Sequence, residues 1–228
     1  ALIILIPETV YTVRPGDTLF SIASQFGITI MELFQNNPEL SASSSIYPGQ
    51  ILTIRFEDEK RRQLLTNAYA YPYIPRNTLI YALPFLSRLT IFGYGFTAEG
   101  ELIGINDQPL IALAYQYKTA PVMLISSITE NGNFDGERAS LLFSDPALQD
   151  QILEQILATM LEKGYLGLDI DFEYIKPEDR DGFIRFIDTA RQLLNPYGFF
   201  VNTDLAPKVS GVQRGLLYEA HDYPAIGE

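Results

Sequence analysis

The chain has 228 residues, 47% apolar and 19% charged, with a formal net charge of −12, an ordinary balance for a globular protein. That acidity, without any Lys/Arg run to neutralise successive phosphates, argues against nucleic acid or an anionic membrane surface as partner. The absence of cysteine excludes disulfides, thiolate metal sites and cysteine nucleophiles.

Taken in chain order, residues 1–6 form the longest purely apolar run, far too short to cross a bilayer. No charged-then-apolar signal segment opens the sequence, although one could have been removed. Ala1-Leu-Ile-Ile-Leu-Ile-Pro7 aligns with Ile51-Leu-Thr-Ile-Arg55. Residues 1–8 are therefore expected to end a preceding copy of the module that follows.

Residues 9–56 read as strand, helix, helix, strand. Tyr11-Thr-Val13 alternates, and Arg14-Pro-Gly-Asp-Thr18 makes a turn in which Asp17 or Thr18 can cap a helix. Leu19, Ile22, Ala23 and Phe26 form an amphipathic stripe, and Gly27 stands where a left-handed C-cap belongs. Thr29 and Glu32 have the spacing of a capping box for a second helix that Pro38 ends. Tyr47-Pro-Gly-Gln50 then turns into the strand Ile51-Leu-Thr-Ile54.

These motifs in this order resemble a LysM domain, a module that binds N-acetylglucosamine polymers in peptidoglycan and chitin. The resemblance implies a small α+β fold (βααβ) with sugar held between the loop after the first strand and the loop before the last. Those positions are Gly16, Asp17, Thr18 and Leu19 on one side and Asn37, Pro38 and on to Ile46 on the other. Gly16, Asp17 and Pro38 have an equal reading as simple turn formers.

Residues 57–64, opening on Glu57-Asp-Glu-Lys-Arg-Arg62, lack apolar periodicity and read as a linker. Residues 65–228 alternate strand-like and helix-like segments, the signature of an α/β domain with a parallel sheet. Strands are expected at 65–71, 88–96, 121–127, 167–174 and 199–205. A long helix begins at Ser144-Asp-Pro146 and closes at Gly164, and another runs from Pro177 to Asn195. Five such units have the density of a TIM-type (β/α)8 barrel, which needs eight. Either the sheet is open and doubly wound, or the chain holds the first five strands of a truncated barrel.

Chemistry concentrates in Leu166-Gly-Leu-Asp-Ile-Asp-Phe-Glu-Tyr174. Alternate side chains of a strand share a face, so Asp169, Asp171 and Glu173 point one way, spaced about 6–7 Å apart, and Leu168, Ile170 and Phe172 the other. Carboxyls crowded on a buried face raise one another's proton affinity, which is how a carboxylic acid stays protonated to act as a general acid. A divalent-metal site and a solvated edge strand are the alternatives. The first lacks a further acidic cluster, and the second is at odds with the apolar opposite face.

The window resembles the Asp-x-Asp-x-Glu signature of family 18 glycoside hydrolases, the chitinases and related N-acetylglucosaminidases. The resemblance implies Glu173 as proton donor, Asp171 orienting the substrate acetamido group, Asp169 supporting Asp171 from behind, and no cofactor or metal. Chitinases usually carry another Asp where Leu166 stands, and often Trp or Tyr in place of Phe172. With the LysM-like module and Ala206-Pro-Lys208, these departures look closer to the bacterial branch acting on spore-cortex peptidoglycan. The family's sixth-strand tyrosine has no counterpart, so the chain is expected to lack part of its site. The implied setting is extracellular, in the cell wall or spore. A chitinase and a non-catalytic glycan-binding protein stay open.

Weaker substrate-binding candidates are Tyr69, Tyr71 and Tyr94 near strand ends. Ser126, Ser127, Thr129 and Asn131 follow the third strand, and Asn202 and Asp204 lie on the fifth. The single histidine, His221, cannot build a multi-histidine metal site and reads as a surface or capping residue.

Overall fold

The computed structural model describes residues 2–3, 7–40, 45–56 and 63–227. The chain divides into two compact units, Ala1–Leu64 and Leu65–Glu228.

The first unit runs β1 (Leu2–Ile3), β2 (Pro7–Thr12), α1 (Leu19–Gln25), α2 (Ile30–Asn36), β3 (Ile51–Phe56) and β4 (Gln63–Leu64). β2 and β3 pair antiparallel, with Val10 opposite Thr53 and Thr12 opposite Ile51. Thr18 caps α1 in a reciprocal box with Ser21, and Thr29 caps α2 in one with Glu32, so each helix has its first orphan amides satisfied locally. Ile22, Leu33, Leu52 and Ile54 are fully buried in a core of the unit's own. Two expected boundaries shift. Pro7 and Glu8 belong to β2 rather than to a preceding repeat, and Gln63 and Leu64, expected in a linker, pair with Ile3 and Leu2. Residues 1, 4–6 and 57–62, on which the rest of those expectations fall, lie outside the described residues.

The second unit runs β5 (Asn67–Ala70), α3 (Arg76–Ala82), β6 (Arg88–Phe96), β7 (Leu102–Ile103), α4 (Gln108–Gln116), β8 (Ala120–Ile125), α5 (Gly136–Ser144), α6 (Pro146–Lys163), β9 (Gly167–Ile170), α7 (Arg180–Leu194), β10 (Phe200–Thr203) and α8 (Tyr223–Ile226). β5, β6, β8, β9 and β10 lie side by side in chain order and pair parallel, while β7 turns back antiparallel on β6. A doubly wound sheet needs a reversal of strand order. The unbroken order therefore removes that alternative and leaves the winding of a TIM-type barrel.

Leu168, Ile170 and Phe172 are fully buried in the core with Phe143, Phe183, Phe186, Ile152 and Met160 of α5, α6 and α7. Asp145 caps α6 just before Pro146, and Gly164 ends the helix at φ +83°. Where α7 crosses α5, a Cβ on Gly182 would stand 2.0 Å from the Phe143 carbonyl oxygen. Backbone cannot yield as a side-chain tip can, so Gly182→Ala should destabilise the protein by roughly 2–3 kcal/mol. The midpoint of urea unfolding followed by circular dichroism checks this, and an unchanged midpoint refutes it.

Candidate active site

β9 is shorter than its alternation predicts, ending at Ile170 instead of reaching Tyr174. The last ladder bond of the segment is donated by the Asp171 amide to the Ile125 carbonyl, 3.0 Å. Ser126 Oγ then donates to the Asp171 carbonyl, removing that acceptor from any further ladder. Tyr174 adopts φ +56°, which turns the chain away. The alternation of faces nevertheless persists past the strand end. Asp169 is buried, Asp171 half-buried and Glu173 exposed, while Phe172 between the last two stacks edge-on to Phe143 at 5.1 Å.

Asp171 and Glu173 line one cavity of about 500 Å³ together with Tyr69, Tyr71, Phe92 and Asp204, and Ala70, residues 205–207, Leu217 and His221 complete it. Tyr71 stacks on the exposed Tyr73 at 5.1 Å and meets Phe92 at 4.8 Å. This gives the opening an aromatic wall of the kind that accepts the apolar face of a sugar ring. No described residue lining the cavity is Lys or Arg, so the acids there act on one another without a neutralising partner.

Asp169 lies beneath this surface. Its Oδ2 stands 3.0 Å from the Tyr69 hydroxyl and 3.3 Å from Thr90 Oγ1, and its buried Oδ1 has no partner among the described residues. The Tyr69 hydroxyl also lies 2.8 and 3.0 Å from the two carboxylate oxygens of Asp204. One phenolic proton cannot serve both acids fully, so Asp169 and Asp204 compete for it. Burial, then the Asp204 charge, pushes Asp169 up to about 6. Burial, then Asp204, Glu173 and Asp169, pushes Asp171 up to about 7. Raised proton affinity thus falls on the two inner acids of the row.

Tyr69, Tyr71 and Asp204 meet in the cavity with Asp171 and Glu173. Tyr94 does not. It is buried on the other side of β6, where it donates to Asp107 beside Tyr165 and Lys163, the latter 2.9 Å from Asp107. Burial alone would raise the Asp107 carboxyl, but hydrogen bonds from Tyr165, Tyr94 and Lys163 bring it below its ordinary value, which marks a satisfied structural ion pair. Ser126 is buried and spends its hydroxyl on the Asp171 backbone. Ser127 and Thr129 are also buried, Asn131 is exposed on a turn, and Asn202 pairs with Asp169 in the sheet register. None of these residues lines the cavity.

The one residue that sequence reasoning dismissed and the cavity contains is His221. It is 1% exposed, not a surface histidine. A lone histidine in a loop-like segment carries no periodic signal of its environment.

In the first unit, Gly16 takes φ +89° in the turn where the Asp17 carboxylate accepts from the Tyr11 hydroxyl and the Arg14 amide, 2.8 and 2.7 Å. Thr18 is committed to its cap, and Leu19 and Ile46 pack on the core. Asn37 departs from expectation. It is buried, and its side chain donates to the Leu33 and Thr53 carbonyls and accepts from the Thr53 amide, all at 2.8 Å, so it staples α2 to β3 rather than facing a ligand. Pro38 is exposed, and residues 41–44 of the expected sugar loop lie outside the described residues.

The LysM domain profile matches residues 11–55. Over 273 aligned residues the chain is 34% identical to the cortical fragment-lytic enzyme of Bacillus cereus, an alignment covering 96% of this chain and 63% of that protein. The crystal structure of the Bacillus cereus spore cortex-lytic enzyme SleL superimposes with a TM-score of 0.71 at 32% identity, covering 96% of this chain and 51% of that one. A chitinase from Chromobacterium violaceum, 19% identical, shares the fold with a TM-score of 0.64 over 72% of this chain and 53% of its own. The chain thus spans between half and two thirds of the length of these relatives. It carries a LysM domain followed by a domain like those of family 18 glycoside hydrolases.

Proposed function

We propose that the protein cleaves an N-acetylglucosamine-containing cell-wall polymer, peptidoglycan of the spore-cortex kind, by a retaining, substrate-assisted mechanism without cofactor. The observation that carries this is the pairing of Asp171 and Glu173 on one wall of an aromatic-lined cavity, with Asp169 buried behind them. Glu173, the most exposed of the three, donates a proton to the glycosidic oxygen as the bond to the anomeric carbon breaks. The carbonyl oxygen of the substrate's own acetamido group attacks that carbon, forming an oxazolinium ion, and the leaving sugar departs as an alcohol. Asp171 holds the acetamido group in line, and Asp169, buried behind it, helps raise its proton affinity. Glu173, now a carboxylate, takes a proton from water as that water attacks the anomeric carbon, reopening the ring and restoring the acid. Two displacements leave the anomer unchanged.

The parallel strands β5, β6, β8, β9 and β10 are read as five consecutive members of an eight-stranded barrel. The first unit, through Gly16–Leu19 and the stretch from Pro38 to Ile46, is read as a tether that raises the local concentration of the catalytic cavity at an insoluble polymer. The setting that follows is extracellular, in the cell wall or spore.

The test is incubation of the protein with purified spore-cortex peptidoglycan and, separately, with chitin, following new reducing ends by proton NMR. The expected result is preferential release from cortex with β-anomeric product at early times. An α-anomeric initial product overturns the substrate-assisted mechanism, and release from chitin alone turns the reading to a chitinase.

A further inference from the structure

His221 is the only histidine of the chain, and it lies between the two segments that carry the cavity acids. Its Nδ1 accepts from the Ala206 amide at 3.2 Å, and its Nε2 stands 3.1 Å from the Phe172 carbonyl. An amide N–H can only donate and a carbonyl can only accept, so these partners fix the ring as neutral imidazole with its proton on Nε2. Phe172 sits between Asp171 and Glu173, and Ala206 is two residues past Asp204. The ring is 1% exposed and lies 5.6 Å from the ring of Phe183 on α7, which holds it in place.

We propose that His221, as the neutral Nε2–H tautomer, is a positioning residue that fixes the Glu173 segment to the Asp204–Ala206 segment and so sets the geometry of the cavity acids. The inference rests on the reading of Glu173 as proton donor for its functional consequence, while the tautomer and the clamp stand independently of it.

Protonation would place a second N–H against the Ala206 amide, two donors face to face. Burial holds the imidazole below its ordinary value, helped by Lys208 and opposed by the Phe172 carbonyl and Glu173. The Lys208 ammonium donates to the His221 backbone carbonyl, and the neighbouring Asp222 is paired with Arg180. The ring thus meets one cation, Lys208, and one carboxylate, Glu173, with the Arg180–Asp222 pair alongside.

Being the sole imidazole, His221 can be observed without assignment. Long-range proton–nitrogen NMR should show a bare Nδ1 and a protonated Nε2, unchanged from about pH 8 to about pH 5.5. A proton on Nδ1, or a titration midpoint near about 6.5, would falsify the clamp. In His221→Phe, similar in size but without either bond, the Ala206 amide should lose protection from hydrogen exchange. On solubilised cortex fragments its kcat should fall about 10- to 100-fold with KM within about twofold, as expected for a misplaced rather than a missing acid. In His221→Gln, whose amide can still donate to the Phe172 carbonyl, part of kcat should return. Unchanged kcat and unchanged Ala206 exchange in His221→Phe defeat the proposal. If the Phe variant does not fold, the wild-type tautomer and the exchange and kcat of the Gln variant decide. If the wild-type protein cleaves no glycan, the glycosidase reading fails, and the NMR and exchange results still judge the clamp.

Discussion

Glu173→Gln should lower kcat on cortex polymer by about three to four orders of magnitude while leaving binding to that polymer within about twofold. The substitution keeps the size and shape of an exposed side chain, so the fold has no reason to change. What it removes is the acidic proton and, once that proton is given up, the basic carboxylate. An amide cannot protonate the glycosidic oxygen in the first displacement, and it cannot take a proton from water in the second. Both steps therefore slow together, and no covalent enzyme adduct accumulates, because the proposed nucleophile belongs to the substrate. Stopped assays of reducing-end release, alongside sedimentation with insoluble cortex, separate the two effects. Activity within tenfold of wild type would remove Glu173 from the proton-donor role, and with it the mechanism proposed above.

Much of this site was legible because strand periodicity is a local property. The alternation that sets Asp169, Asp171 and Glu173 against Leu168, Ile170 and Phe172 needs only the pleat, and it holds even beyond the point where pairing stops. The capping box of α2 was equally readable, since Thr29 and Glu32 satisfy orphan amides within their own turn, whereas for α1 the turn offered Asp17 or Thr18 and the box that Thr18 forms with Ser21 was not marked. What stayed hidden depends on contacts distant in sequence. The end of β9 at Ile170 is fixed by Ser126, 45 residues away. Tyr69 reaches Asp169 and Asp204 across 100 and 135 residues, whereas Tyr94, from the neighbouring strand β6, turns to the opposite face. Asn37 has the composition of a sugar ligand and the environment of a core staple, and only the positions of Leu33 and Thr53 decide between them. α4 carries little sequence contrast because its exposed side includes Ala112 and Tyr115, so polarity only weakly marks the face opposite the buried Leu110, Ile111, Leu113 and Ala114.

The second large effect concerns stability, and its sign is opposite to that on function. Asp171 is held at about 7 in the folded chain against an ordinary value of 3.8, so folding favours its protonated form. Such a group contributes fully below its unfolded value. The contribution is lost progressively as pH rises from about 4 through about 7, and above that the penalty of an ionised, half-buried carboxylate is constant. Asp171→Asn removes the titration while keeping the shape. The variant should therefore match wild type near pH 4 and exceed it by about 1–2 kcal/mol at pH 8. That figure is well below the full linkage value, because water reaches part of the carboxylate and Glu173, Asp204 and Asp169 relax with it. The same substitution should cut turnover by at least tenfold if Asp171 orients the acetamido group, a trade of stability for activity expected where acids are crowded for chemistry. Urea unfolding at both pH values measures the first effect. Equal gains at pH 4 and pH 8 would show that the carboxyl carries no raised proton affinity, and the electrostatic account of the acid row would then have to be abandoned.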